Sequence, residues 1–145
     1  MIPAFAVGRA QELLLALHRL KRRNAIPNLP VYLNSPMAID MTEIYQRHCN
    51  EHRLDAKDCK ALGSVAKMVR TPEESKALDA IRYPSVIISA SGMATGGRVL
   101  HHIKTLAPDH RNMILFAGFQ AAGTRGARML AGERTVRIYG DDVPS

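Results

Sequence analysis

Tryptophan is missing from this chain of 145 residues, and aromatic side chains make up only 5% of it. Proteins that stack bases on an aromatic platform need more than that, so contacts to a nucleic acid would fall mainly on phosphates. Cysteine is almost missing too, with Cys49 and Cys59 the only two. A pair is too few for a disulfide scaffold, which points to a reducing, cytoplasmic setting. No apolar run approaches the roughly 18 residues of a membrane span, and no secretory leader precedes the first helical segment, so a membrane role is not expected. The catalytic and nucleotide signatures are also lacking. There is no His-Glu-x-x-His or Gly-x-Ser-x-Gly, no Gly-x-x-x-x-Gly-Lys-Ser/Thr, and no Gly-x-Gly-x-x-Gly. The sequence shows ways to hold a phosphate but none to break one.

What is present is an ordinary soluble-domain composition, 46% hydrophobic and 23% charged, with the charge strongly biased. Lys and Arg number 20 against 13 Asp and Glu, a formal charge of +7. Such an excess favours polyanions, and a polymer with many phosphates better than one small ligand. The length fits a single domain.

The organising stretch is Val86-Ile87-Ile88-Ser89-Ala90-Ser91-Gly92-Met93-Ala94-Thr95-Gly96-Gly97-Arg98. A β-branched apolar run opens it, the pattern of a strand buried on both faces. Small residues and glycines follow, then Val99–Leu106 reads as a helix closed by Pro108. Two readings compete for the loop. One is an anion site, with backbone approaching through the glycines, N–H groups and helix dipole favouring negative charge, and Ser89, Ser91, Thr95 and Arg98 adding donors. The other is a tight turn whose glycines serve close packing.

The rest of the chain alternates strands and helices. A short strand is expected within Pro3–Val7, then a helix from Arg9 to about Asn24 with Leu13, Leu14, Leu17 and Leu20 as its apolar stripe. The basic cluster Arg19, Lys21, Arg22 and Arg23 reads as a solvated helix end. A strand at Val31–Leu33 and the turn Asn34–Met37 lead to a helix over about Ala38–Glu51. His48, Cys49, His52, Asp55, Asp58 and Cys59 invite a zinc reading, but no Cys-x-x-Cys pair supports it, and solvated residues with one buried Cys explain them better. A strand is expected at Val65–Val69. Thr71-Pro72-Glu73-Glu74 is a capping box opening a helix to about Ala80. A strand at Met113–Ala117, a glycine loop over Gly118–Gly126, a short helix from Ala127 and a last strand at Thr135–Tyr139 complete the pattern. Alternation of this kind means an α/β domain, three layers with a mostly parallel sheet and helices on both faces, Rossmann-like in plan. The two small-residue loops, carrying Arg98 and Arg125, then fall at carboxyl ends of strands and face one crevice, which favours the anion reading. Of the neighbours His101 and His102, no more than one can face that crevice.

Four motifs in order carry a resemblance: Ala4–Glu12, Asn34–Ala38, Ser89–Arg98 and Gly118–Gly126. Together they resemble the β-CASP domain of RNA-processing metallo-β-lactamase-fold nucleases, a family that includes bacterial RNA exonucleases and the nuclease of pre-mRNA 3′-end cleavage. The resemblance covers nearly the whole chain. It implies that residues 1–145 are one β-CASP domain cut from a larger protein, with Met1 an artificial start. It implies RNA and the parent's metallo-β-lactamase domain as partners, and it allows a homo-oligomer. Matching positions become expected phosphate or RNA contacts: Arg9 and Ser35; Ser89, Ser91, Gly92, Gly96, Gly97 and Arg98; and Gln120, Gly123, Thr124 and Arg125. No catalytic residue and no metal ligand is expected here, because the family's His-x-His-x-Asp-His motif is missing; the two zinc ions belong to the parent's other domain, and the fragment alone should be inactive. One departure is Asn34, where the family more often has Asp. Two rival readings stand beside this one, a free-standing phosphate- or nucleotide-binding module and a purely structural docking domain.

Overall fold

The computed structural model describes all 145 residues. Four short parallel strands form the sheet: β1 (Ile2–Pro3), β2 (Val31–Asn34), β3 (Lys67–Met68) and β4 (Val86–Ser89), in the order β1-β4-β2-β3. Alternate residues of the central strands feed opposite faces. Val31, Leu33 and Ile88 pack into one apolar cluster with Leu14 of α1 (Arg9–Arg22), Ile39 of α2 (Pro36–Arg47) and Leu62 just after α3 (Ala56–Ala61). Tyr32 and Ile87 point the other way, toward Leu78 of α4 (Pro72–Asp79) and the half-buried Leu106 of α5 (Val99–Leu106). The three-layer α/β plan is therefore present, and the β4 run is buried on both sides as its composition required.

Local chemistry sets the helix ends. Thr71 and Glu74 close the expected capping box: Glu74 N–H donates to Thr71 Oγ1 at 3.1 Å, and Thr71 N–H to Glu74 Oε2 at 3.0 Å. Ser35 caps α2, accepting from Ala38 N–H at 3.3 Å, with Pro36 in the first turn. The helix expected to reach Glu51 stops at Arg47, and a 3-10 turn covers Cys49–Glu51. Helix α3, capped by Asp55, was not legible as a helix.

Three expected strands are not where the alternation put them, the first being Ile2–Pro3 and not a strand within Pro3–Val7. Met113–Ala117 lies beside Met1, joined by Met1 N to Met113 O at 2.5 Å and Leu115 N–H to Met1 O at 2.9 Å, but forms no strand. The next ladder donor would be the N–H of Pro3, which does not exist, so the pairing stops. The last strand, β5 (Thr135–Ile138), leaves the parallel sheet and pairs antiparallel with β6 (Asp141–Pro144). Its turn is Tyr139-Gly140, at φ 52 and 88, the two positive values that a tight two-residue hairpin needs. Val136, Ile138 and Val143 line one face of this hairpin and pack on Val99 and Ile103 of α5. The hairpin thus props the helix that leaves the first glycine loop.

Candidate functional site

The first loop, residues 90–98, is closed on itself. Ser91 Oγ accepts from Thr95 N–H at 3.1 Å and Gly96 N–H at 3.3 Å. Gly97 sits at φ +82, and a Cβ there would lie 2.7 Å from Ala90 O. Gly92 has backbone against it, since its Cβ would meet Phe5 N at 2.9 Å, whereas Gly96 faces open space. Ser89 is buried and donates to Asn34 O at 3.0 Å, a bond across the sheet. The α5 N-terminus offers fewer free donors than the motif suggested: Val99 N–H goes to Ala90 O, Leu100 N–H to Gly97 O and His101 N–H to Arg98 O.

Arg98 turns into the fold. Its Nη1 donates to Asn34 Oδ1 at 2.9 Å and Val69 O at 3.2 Å, and its Nη2 to Arg70 O at 2.6 Å. Asn34 is fully buried, with its amide nitrogen 2.7 Å from Ser75 Oγ and 2.6 Å from His102 Nε2. His102 Nδ1 stands 2.6 Å from Asp79 Oδ1. One proton arrangement satisfies the whole line. Asn34 gives its carbonyl to Arg98 and its N–H to His102 Nε2, which leaves the His102 proton on Nδ1, donated to Asp79. This line, buried at His102 and Asn34 and half-buried at Asp79 and Arg98, escaped the sequence reading; the only signal was a His and an Asn in otherwise apolar elements. Neither histidine enters a crevice. His102 is in the core, and exposed His101 lies against the hairpin, its Nε2 3.1 Å from Tyr139 Oη.

The second loop, residues 118–126, is fastened to the first. Gln120 Nε2 reaches Gly92 O at 3.0 Å, Gly126 N–H donates to Met93 O at 3.0 Å, and Arg125 Nη1 donates to Ala94 O. Arg125 Nε also donates to Arg137 O of β5 at 2.8 Å. Gly126 leaves room for the Gln120 side chain where it reaches the first loop, since a Cβ at Gly126 would displace the Gln120 side-chain oxygen. Thr124 caps the short helix α6 (Arg125–Leu130), accepting from Ala127 N–H at 3.2 Å, and Gly123 at φ +82 faces open space. The two loops therefore lie together in one rim, and both of their arginines are engaged with backbone carbonyls.

Arg9 is the arginine that faces out. Gly8, at φ +84, turns the chain into α1, and its N–H donates to Gln11 Oε1 at 2.8 Å. Buried Gln11 then fixes this turn through Ala6 O, Ala38 O and Thr42 Oγ1 at 3.0–3.2 Å. Arg9 pairs only with Glu12, at 2.7 Å, its side chain 46% exposed. Its Nε lies 3.9 Å from where a Cβ on Gly118 would stand, so α1 delivers a guanidinium to the second loop. Ser35, by contrast, is buried and spent as a cap.

The cysteines correct an expectation. Cys49 and Cys59 form a disulfide, because the 3-10 turn and α3 bring their Cα atoms to 5.8 Å. The count of two therefore says nothing for a reducing compartment. With both thiols used, His52 Nε2 at 2.7 Å from Tyr45 O, and His48 at 2.8 Å from Glu51, the group that invited a zinc reading is occupied with its own contacts. No three His, Cys, Asp or Glu side chains of this chain converge on a metal position. Nearby, Asp58 is buried and receives Arg19 at 2.7 Å, a bond that holds its carboxyl below the usual range. No helix is long and apolar enough to cross a membrane.

Fold and site together define a three-layer α/β domain in which two glycine-containing loops join in one rim. The chain belongs to the Beta-Casp family, whose domain model matches residues 10–129. It is 39% identical to Ribonuclease TTHA0252 of Thermus thermophilus over 99% of this chain and 34% of that protein. It is 35% identical to Transcription termination factor FttA of Methanosarcina mazei over 97% of this chain and 23% of that protein. It is 30% identical to an RNase J-like protein of Methanocaldococcus jannaschii over 99% of this chain and 34% of that protein. The chain thus spans between about a quarter and a third of the length of these relatives.

Proposed function

We propose that this chain is the substrate-gripping domain of an RNA-cleaving, metal-dependent hydrolase. The observation that carries the reading is the fastening of the two glycine loops by Gln120, Arg125 and Gly126 into a single rim with Arg9 at its edge. A preformed rim of this kind, on a chain of formal charge +7, suits a phosphate backbone that must be held in one register. The names of the ribonuclease and RNase J-like relatives agree with it. In this reading phosphates meet Arg9, the hydroxyls of Ser91 and Thr95, and the open flanks of Gly96 and Gly123. Arg98 and Arg125 hold the loops in shape through their carbonyl bonds. The two zinc ions and the hydrolytic groups belong to a metallo-β-lactamase domain of the parent protein, and residues 1–145 alone are inactive. RNA turnover places the work in the cytoplasm, where the Cys49–Cys59 bond would meet a reducing thiol pool.

The test is binding of a labelled single-stranded oligoribonucleotide at several salt concentrations. A grip on three or more phosphates gives a steep logarithmic slope, roughly 0.7 per phosphate released from its counterions. A shallow slope would favour a small phosphorylated ligand, and absence of binding at low salt would overturn the reading.

A further inference from the structure

Only three phenylalanines occur in the chain, and two of them stand on the rim, exposed. Phe119 is 79% exposed and Phe5 is 47% exposed, and neither packs into any of the three apolar clusters. They belong to one place. The Phe5 ring lies 3.0 Å from the position of a Cβ on Gly92, and the Gly92 carbonyl accepts from Gln120 Nε2 at 3.0 Å. Gln120 also reaches the Phe119 carbonyl at 3.2 Å. A Cβ on Gly118, next to Phe119, would stand 3.9 Å from Arg9 Nε. Two solvated phenyl groups and the outward-facing Arg9 therefore share this stretch of the rim.

From this arrangement we infer that Phe5 and Phe119 are stacking positions for unpaired nucleobases, with Arg9 taking the phosphate between them. The inference rests on the proposed RNA grip and deepens it, naming single-stranded nucleic acid with accessible bases as the occupant. Charge complementarity decides for that occupant. An apolar protein partner would have to bury the Arg9 guanidinium along with the rings, whereas a single strand offers π-faces and phosphates at alternating positions. Scarcity of aromatic residues argued against a stacking platform when judged by composition alone. Placement reverses that argument, since two rings at the binding edge are enough for two bases. The rings accept any base, so little sequence preference is expected, and a duplex, with its bases already stacked and paired, should bind less well.

The experiment measures binding of the full chain to two labelled strands of equal length, one carrying bases and one abasic. Wild-type protein should prefer the base-bearing strand. Phe119→Ala should weaken that strand by roughly five- to a hundredfold, the loss of one stacked base, and leave the abasic strand unchanged. Phe119→Leu, which keeps apolar area but not the ring, should lose nearly as much. Melting temperatures of both variants should match wild type, because the side chain is already in water. Equal binding of the base-bearing strand by wild type and Phe119→Ala would overturn the inference. So would equal loss on both strands, which would make the rings part of a protein-docking face or of the loop's own shape. If wild type binds neither strand, the RNA reading itself fails; if it binds both alike, only the stacking inference does.

Discussion

Arg98 and Arg9 stand at the same edge of the sheet and differ in almost everything else. Arg98 spends its guanidinium on three acceptors inside the fold and rests on a line running through buried Asn34 and His102 to Asp79. Arg9 has Glu12 for a partner and solvent on its other side. The same contrast runs through the neighbouring residues. Beneath the first loop Ser89, Asn34, His102 and Arg98 all have hydrogen-bond partners, while on the rim the flanks of Gly96 and Gly123 and the rings of Phe5 and Phe119 are uncovered. A site that must hold a flexible polymer needs this division, a fully bonded support below and unspent groups above. The resemblance assigned both arginines one role, whereas the geometry engages Arg98 with acceptors in the fold and leaves Arg9 facing solvent.

The adjacent histidines test the division most severely. His102 has no exposed surface, and His102→Ala would leave the Asp79 carboxylate and the Asn34 amide without partners beside a new cavity. A loss of about 3 kcal/mol in urea denaturation is expected. His101→Ala should stay within about 0.5 kcal/mol of wild type, since it removes an exposed contact with Tyr139. Comparable losses in the two variants would break the distinction between support and rim.

A smaller effect is expected from the arginines, and with opposite readouts. Arg98→Ala leaves Asn34 Oδ1, Val69 O and Arg70 O unpaired, and should cost about 2 kcal/mol of stability. Arg9→Ala should change stability by less than about 0.5 kcal/mol but weaken single-stranded RNA roughly tenfold, the value of one phosphate contact. An Arg98→Ala protein with wild-type melting and weakened RNA binding would move that residue from the support to the rim.

Much of the support was legible in the sequence. The doubly buried β4 run, the Thr71 capping box, the α5 helix and the parallel alternation all follow from local patterns whose physics is short-range. What escaped depends on partners far along the chain. Pro3 stops the pairing of Met113–Ala117 from more than 100 residues away. Strand β6 is mostly exposed, with Val143 its one buried residue, so no alternation marks it. The Cys49–Cys59 bond needs α3 to bring the thiols together, and α3 itself was not recognised. The direction of Arg98 was unreadable for the same reason. A guanidinium beside a glycine loop suits a phosphate or a carbonyl equally well, and only the fold supplies Val69 and Arg70 as acceptors.

The smallest expected effect lies at the outer end of the support, where acidity can be used as the probe. Glu74 accepts from Thr71 N–H at 3.0 Å and Arg70 N–H at 2.9 Å, and these backbone donors hold its carboxyl below its usual value of 4.5. Because the folded value is depressed, the contribution is present in full above about pH 5 and is lost as pH falls through the folded value, below 4.5. The peptide units that give Glu74 their Arg70 and Thr71 N–H groups present the Val69 and Arg70 carbonyls that Arg98 grips, so the carboxylate steadies both of those acceptors. The melting-temperature difference between wild type and Glu74→Ala should therefore be largest near neutral pH and narrow steadily below pH 4.5. A difference that stays flat from neutral pH down into the acid range would show that the charge of Glu74 contributes nothing, leaving only the shape of the cap.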